Sequence, residues 1–137
     1  MKQLLIDPRK IKNQLRKSGK KIPFHWRLGV KGTKEHFITG KDWTQTYYYQ
    51  MRMVGRYGDI EGETEIMEYL QSIDAVYDSM KKHGFIEQGA PIGVGIAKDG
   101  EVCFYHDGQH RITIAQILGV RQIPVTVLID LTEKPQK

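Results

Sequence analysis

The sequence predicts an α+β fold, in which helices pack against a small β-sheet, for this chain of 137 residues. Three observations lead to that class. Apolar residues between Glu63 and His83 repeat with helical spacing, residues 92–106 alternate in the manner of two strands, and a β-branched run follows a second helical pattern near the C-terminus. The length suits one ordinary domain, so we expect residues 1–137 to share a single core.

The chain begins with a pattern that predicts a short basic helix. Asp7 and Pro8 suit the N-cap and first-turn positions, Ile11 and Leu15 are four residues apart, and Gly19 is a typical C-terminal stop. A helix from Asp7 to Gly19 is therefore expected.

Little regular structure is predicted between the first helix and a tyrosine-rich stretch. Between Lys20 and Asp42, one proline and three glycines interrupt the pattern, which predicts a loop with one strand at Glu35–Thr39. The stretch "KDWTQTYYYQMRMVGRYG" fits the spacing of a helix and of a strand. We favour a helix, because Tyr47, Met51 and Val54 repeat every three to four residues.

The second half predicts two helices and three strands. Glu63–His83 carries one apolar stripe, acidic residues in its first turn and lysines in its last, and Gly84 ends it. "IGVGIA" and "EVCFYH" flank an Asp-Gly turn signal and predict an antiparallel hairpin. Gln109–Leu118 has the pattern of a helix, and "IPVTVLI" that of a strand.

Charge and composition restrict the function without deciding it. Residues 1–34 carry 11 Lys and Arg against one acid, whereas residues 35–137 carry 10 against 15. The basic third could meet nucleic acid or the acidic remainder of its own fold. Cys103 is the only cysteine, which excludes an internal disulfide and a thiolate metal cage and predicts a small buried side chain. The absence of a long apolar run and of a signal peptide predicts a cytoplasmic protein without membrane contact.

The junction "HDGQHR", from His106 to Arg111, is the strongest candidate site. A helix that starts near Gly108 leaves its first N–H groups without internal partners, and Gly108 would let a ligand approach the backbone. Arg111 offers a planar fork for a phosphate or carboxylate, and His110 gains charge as the pH falls past about 6.5. Alternatively, Asp107 is only an N-cap, Gly108 only a turn residue and Arg111 only a surface partner for an acid.

The stretch "DGQHRITIAQILGVRQIPVTVLI", together with "HGF" and "PIGVGIAKDGEVCFYH" before it, resembles the ParB/sulfiredoxin superfamily over residues 63–129. The resemblance implies a small mixed β-sheet with packed helices and a helix N-terminus at the G-x-H-R motif. It also implies a nucleotide, ATP or CTP, whose phosphates lie at Gly108, Gln109, His110 and Arg111. Sulfiredoxins place a reactive cysteine where this chain has Gln109, so we do not expect reduction of a sulfinic acid.

These observations favour a nucleotide-dependent hydrolase or phosphotransferase. His110 and Asp107 are the candidate catalytic residues, and Asp107 is the nearest carboxylate for a Mg²⁺ ion that accompanies the phosphates. A zinc site is not expected, because a turn separates His106 from His110. The alternatives are a DNA-binding or nuclease-like module that uses the basic segment 1–34, and an interaction domain with a vestigial pocket.

Overall fold

The computed structural model describes residues 2–55, 62–87 and 89–132. Within these ranges the chain forms six strands and four α-helices. The strands are β1 (Gln3–Ile6), β2 (Asn13–Leu15), β3 (Lys21–Pro23), β4 (Gly93–Ile96), β5 (Val102–His106) and β6 (Ile123–Asp130). The helices are α1 (Leu28–Phe37), α2 (Tyr47–Met53), α3 (Glu63–His83) and α4 (Gln109–Leu118).

The described strands form one mixed sheet in the order β1-β6-β4-β5-β2-β3. The pairs β1/β6, β4/β5 and β2/β3 are antiparallel, whereas β4/β6 and β2/β5 are parallel. The α+β class with a mixed sheet is thus confirmed, as are the β4–β5 hairpin, helices α2, α3 and α4, and the strand β6. Residues 56–58 of the predicted tyrosine-rich helix lie outside the described residues.

The main core lies between the helices and one face of the sheet. Val30 from α1, Leu70 from α3, Val94 from β4 and Ile112 from α4 have no exposed side-chain surface. A second, smaller cluster contains Leu15, Ala97 and Cys103. The helices therefore cover the sheet mainly on one side, and α3 and α4 meet over it.

The helix predicted from Asp7 to Gly19 is wrong. A single 3-10 turn (Pro8–Lys10), capped by the Asp7 side chain, is followed by the β2–β3 hairpin. Ile11 and Leu15 are both buried, but they belong to different core clusters, so their spacing of four does not mark one helix face. Gly19, at φ +93°, serves the hairpin turn rather than a helix end.

The loop predicted from Lys20 to Asp42, with a strand at Glu35–Thr39, is also wrong, because β3, a 3-10 turn (Phe24–Trp26) and α1 together occupy most of it. Two glycines that suggested a break lie inside this helix at close contacts. A Cβ on Gly29 would come within 2.7 Å of the Gln109 side chain, and one on Gly32 within 2.5 Å of the Tyr48 Cβ. Both glycines thus let α1 pack closely against α4 and α2.

Among the described residues, no helix has both the length and the apolar character needed to cross a membrane.

Candidate functional site

The junction between β5 and α4 turns the chain through two consecutive residues with positive φ. Asp107 has φ +56° and Gly108 has φ +96°, and α4 begins at the next residue. Aspartate tolerates this conformation better than most residues because its short polar side chain bonds locally. A Cβ on Gly108 would meet Ile92 at 2.6 Å. Packing and backbone geometry therefore account for this glycine without any ligand.

The start of α4 is not capped by a side chain within the described residues, and its first turn contains no acid. Gly108, in the left-handed conformation, occupies the N-cap position. The first N–H groups of a helix have no intrahelical acceptor and carry the positive end of its dipole. This end of α4 therefore attracts anions.

The α4 start lines a cavity of about 890 Å³ that also borders α3 and residues 84–90. Its two sides differ in chemistry. The charged groups come from Arg27 and from the junction residues 106–111, whereas α3 contributes apolar side chains, among them Ile73 and Met80, and three hydroxyl groups but no charge. All the junction residues singled out from the sequence, Asp107 to Arg111, reach this cavity. It can therefore hold a molecule with one anionic end and one apolar end.

Arg111 brings a partly buried positive charge to this cavity. Its guanidinium donates to the carbonyl oxygen of Ala90 at 2.6 Å. Burial lowers the pKa of Arg111, while the nearby carboxylates of Asp107 and Glu87 raise it. A guanidinium remains protonated at neutral pH even so. The bond to Ala90 holds this cation at the cavity wall.

Arg27 is a second cation at the cavity, and the sequence did not single it out. Its Nε donates to Gln109 Oε1 at 2.7 Å, and another guanidinium nitrogen donates to Gln14 Oε1 at 2.7 Å. The guanidinium also lies 4.9 Å from the centre of the Phe104 ring. The Gln109 side chain is thus engaged by Arg27, while its backbone N–H belongs to the uncapped first turn of α4.

His110 is half-buried at the cavity, and its ring is electrically neutral at pH 7. Its Nδ1 lies 3.1 Å from the Thr33 hydroxyl oxygen, and its Nε2 lies 3.0 Å from the Tyr69 hydroxyl. Burial, followed by the charges of Arg52 and Arg27, lowers the pKa of His110 to about 4. The expectation that His110 becomes charged near pH 6.5 is therefore wrong. Thr33 and Tyr69 were not singled out, because each belongs to a stretch that was interpreted as loop or scaffold.

Among the described residues that line the cavity, Asp107 is the only acidic one. Its Oδ2 lies 3.2 Å from Nε2 of His106, whose side chain is 72% exposed. His106 thus faces solvent, whereas both ring nitrogens of His110 lie beside the hydroxyl groups of Thr33 and Tyr69. The described residues contain no group of three His, Cys, Asp or Glu side chains that could hold a metal ion.

Cys103 confirms its expected role as a small buried side chain. The thiol is completely buried, and burial together with the neighbouring Glu101 carboxylate raises its pKa to about 12. Because the thiolate is the reactive form, a thiol with this pKa is inert at neutral pH.

Comparison of the chain with protein-family models, with curated proteins and with solved structures returns no match.

Proposed function

We propose that the chain binds a nucleotide, ATP or CTP, with the phosphates at the start of α4. One observation carries the proposal: the uncapped start of α4 and the Arg111 guanidinium face the same cavity. Backbone N–H groups at a helix N-terminus and an arginine fork are a favourable combination for phosphate oxygens. In this arrangement the N–H groups of Gln109 and His110 and the charge of Arg111 bind the phosphates.

The rest of the cavity suits the remainder of a nucleotide. A volume of about 890 Å³ lies within the range of roughly 300–1,000 Å³ that is usual for small-molecule sites. Ile73, Val76 and Met80 give α3 an apolar wall against which a base can pack. The phosphate end and the base end thus correspond to the two chemically different sides of the cavity.

The resemblance to the ParB/sulfiredoxin superfamily supports the same proposal. The order α3, β4, β5, α4, β6 is the order of elements that this family shares, and its members hold nucleotide phosphates at the helix after the G-x-x-R motif. Here Gly108 to Arg111 form the N-cap and the first turn of α4, the helix that follows β5. We therefore propose a ParB/sulfiredoxin-like fold for this chain.

The reaction class that we propose is hydrolysis or transfer of a phosphoryl group. In this proposal Asp107 holds a Mg²⁺ ion that enters with the nucleotide, since such ions are bound by one or two carboxylates and the phosphates. When bound, that ion would neutralise charge developing on the phosphoryl oxygens. With its pKa near 4, His110 is a neutral and weakly basic group at pH 7, so in our proposal it does not offset phosphate charge.

Replacement of Arg111 tests the proposal. Titration with ATP or CTP and Mg²⁺ should show saturable binding, and Arg111→Ala should weaken it by ~1.5–3 kcal/mol, roughly ten- to more than a hundredfold, because a charge-assisted contact is lost. Binding is measured by calorimetry. Arg121→Ala is the matched control, because Arg121 is exposed and does not line this cavity.

Equal affinity of the Arg111→Ala variant and the unaltered protein for the nucleotide would reject the site.

The same variant distinguishes the nucleotide site from the alternative function, nucleic-acid binding. It would use the exposed cations of the β2–β3 turn, Arg16, Lys17 and Lys20. The affinity of the protein for duplex DNA bound at this turn should fall steeply as the salt concentration rises, and it should be the same in the Arg111→Ala variant. That outcome would replace the nucleotide proposal by the alternative.

A further inference from the structure

A chain of hydrogen bonds leads from the interior to the cavity and fixes the position of each proton. The Thr33 hydroxyl donates to the Gly29 carbonyl oxygen at 2.7 Å. Because a carbonyl oxygen only accepts and a hydroxyl has one proton, the Thr33 oxygen must accept the proton of His110 Nδ1. His110 is neutral, so its Nε2 carries a lone pair. The Tyr69 hydroxyl therefore donates to Nε2 across 3.0 Å.

This order leaves the Tyr69 hydroxyl with a defined polarity at the cavity. Its proton points to His110, so the groups it can meet elsewhere are hydrogen-bond donors. Tyr69 lines the cavity and is 37% exposed, so a bound molecule can reach it. The Arg52 guanidinium, 4.4 Å from the centre of the Tyr69 ring, packs on that ring. Tyr69 thus presents an oriented acceptor.

A phosphate oxygen is a poor partner for this acceptor, because both atoms offer only lone pairs. A sugar hydroxyl is a good partner, because it supplies the missing proton. His110 lies in the first turn of α4, so the Tyr69 oxygen is adjacent to the place proposed for the phosphates. In a nucleotide the group adjacent to the phosphates is the ribose.

We infer that the Tyr69 hydroxyl oxygen accepts a hydrogen bond from one ribose hydroxyl of a bound phosphoester, so that the site prefers a ribonucleotide to the 2′-deoxy or the 3′-deoxy analogue that lacks this hydroxyl. This inference rests on the proposed nucleotide function and adds to it the ligand class. Tyr69 contacts the ligand, whereas His110 is a positioning residue that orients the Tyr69 proton away from the cavity.

The test compares ligands that differ only in the sugar. Calorimetric titrations use ATP, 2′-deoxy-ATP, 3′-deoxy-ATP and tripolyphosphate, each with Mg²⁺. We expect ATP to bind about three- to tenfold more tightly than at least one deoxy analogue, the usual effect of one hydrogen bond. Tyr69→Phe should remove this preference and leave the affinity for tripolyphosphate unchanged. Tyr47→Phe, at an exposed tyrosine that does not line the cavity, is the matched control.

A second measurement tests the role of His110. The ¹⁵N chemical shifts of its imidazole should show a neutral ring with the proton on Nδ1 throughout pH 6–8, a signature that a purely structural histidine need not have. A proton on Nε2 would reverse the polarity of Tyr69 and overturn the inference.

The outcomes separate this inference from the proposed function. If tripolyphosphate binds tightly and depends on Arg111, but ATP binds no better than either deoxy analogue, the role of Tyr69 is overturned and the phosphate site remains. A preference for ATP over the deoxy analogues that persists in Tyr69→Phe also overturns the role of Tyr69. Failure of both tripolyphosphate and ATP to bind overturns the nucleotide site and the inference together.

Discussion

Burial and two neighbouring guanidinium groups determine the protonation state of His110, which is neutral at pH 7. A histidine at the start of a helix next to Arg111 is easily interpreted from sequence as a phosphate ligand. The contacts of its two ring nitrogens depend on Thr33 and Tyr69, which lie 77 and 41 residues away in the chain. No local pattern encodes such contacts. The position of His110 could be predicted from sequence, and its protonation state could not.

The lowered pKa of His110 predicts how stability depends on pH. Between pH 6.5 and about 4 the unfolded chain binds a proton at this ring that the folded chain does not, so the free energy of unfolding falls as the pH falls through that window. The shift corresponds to roughly 3 kcal/mol at full protonation. Urea denaturation of the wild type and of His110→Gln at several pH values measures it.

The His110→Gln variant should lose less stability than the wild type between pH 6.5 and 4. His106→Gln is the matched control, because it removes an exposed imidazole. Parallel curves for wild type and His110→Gln would show that the folded protein protonates this ring as readily as the unfolded chain.

At the scale of the elements, α1 is held by close helix contacts that its glycines permit. An alanine inside a helix normally stabilises it by about 1 kcal/mol relative to glycine. At Gly32 the added Cβ would lie 2.5 Å from the Tyr48 Cβ, so α1 and α2 would have to separate. We expect Gly32→Ala to destabilise the protein by about 1–2 kcal/mol in thermal denaturation, because overpacking outweighs propensity.

The exposed neighbour Lys31 supplies the control for this experiment. Lys31→Ala changes the same helix without touching α2 and should leave the melting temperature nearly unchanged. A Gly32→Ala variant more stable than the wild type would mean that propensity, not close packing, governs this position.

The elements that the sequence predicted correctly are those in which the residue pattern within the segment itself distinguishes a helix from a strand. α3 carries a 21-residue amphipathic repeat, and the β4–β5 hairpin carries an Asp-Gly turn. The errors at residues 7–19 and 20–42 have a different cause. There, glycine and apolar spacing reflect contacts with distant partners, such as Gln109 and Tyr48, that a single sequence does not display.

At the scale of the whole molecule, the cavity gathers groups from separate parts of the chain. Arg27 comes from the basic first third, Tyr69 from α3, and Arg111 from α4. Some of that basic third meets the acidic remainder of the fold, since Lys21 pairs with both Asp99 and Glu101. Part of the positive charge of residues 1–34 is thus paired with carboxylates within the molecule, so the uneven charge of the sequence does not by itself indicate a nucleic-acid partner.

The most direct test of the phosphate site is to follow the backbone amides of α4 by NMR during titration with ATP and Mg²⁺. If the phosphates bind the N–H groups at the helix start, Gln109 and His110 should show large, saturable shifts. Saturable ATP binding that leaves these amides unchanged, with the shifts confined to another surface such as the β2–β3 turn, would contradict it.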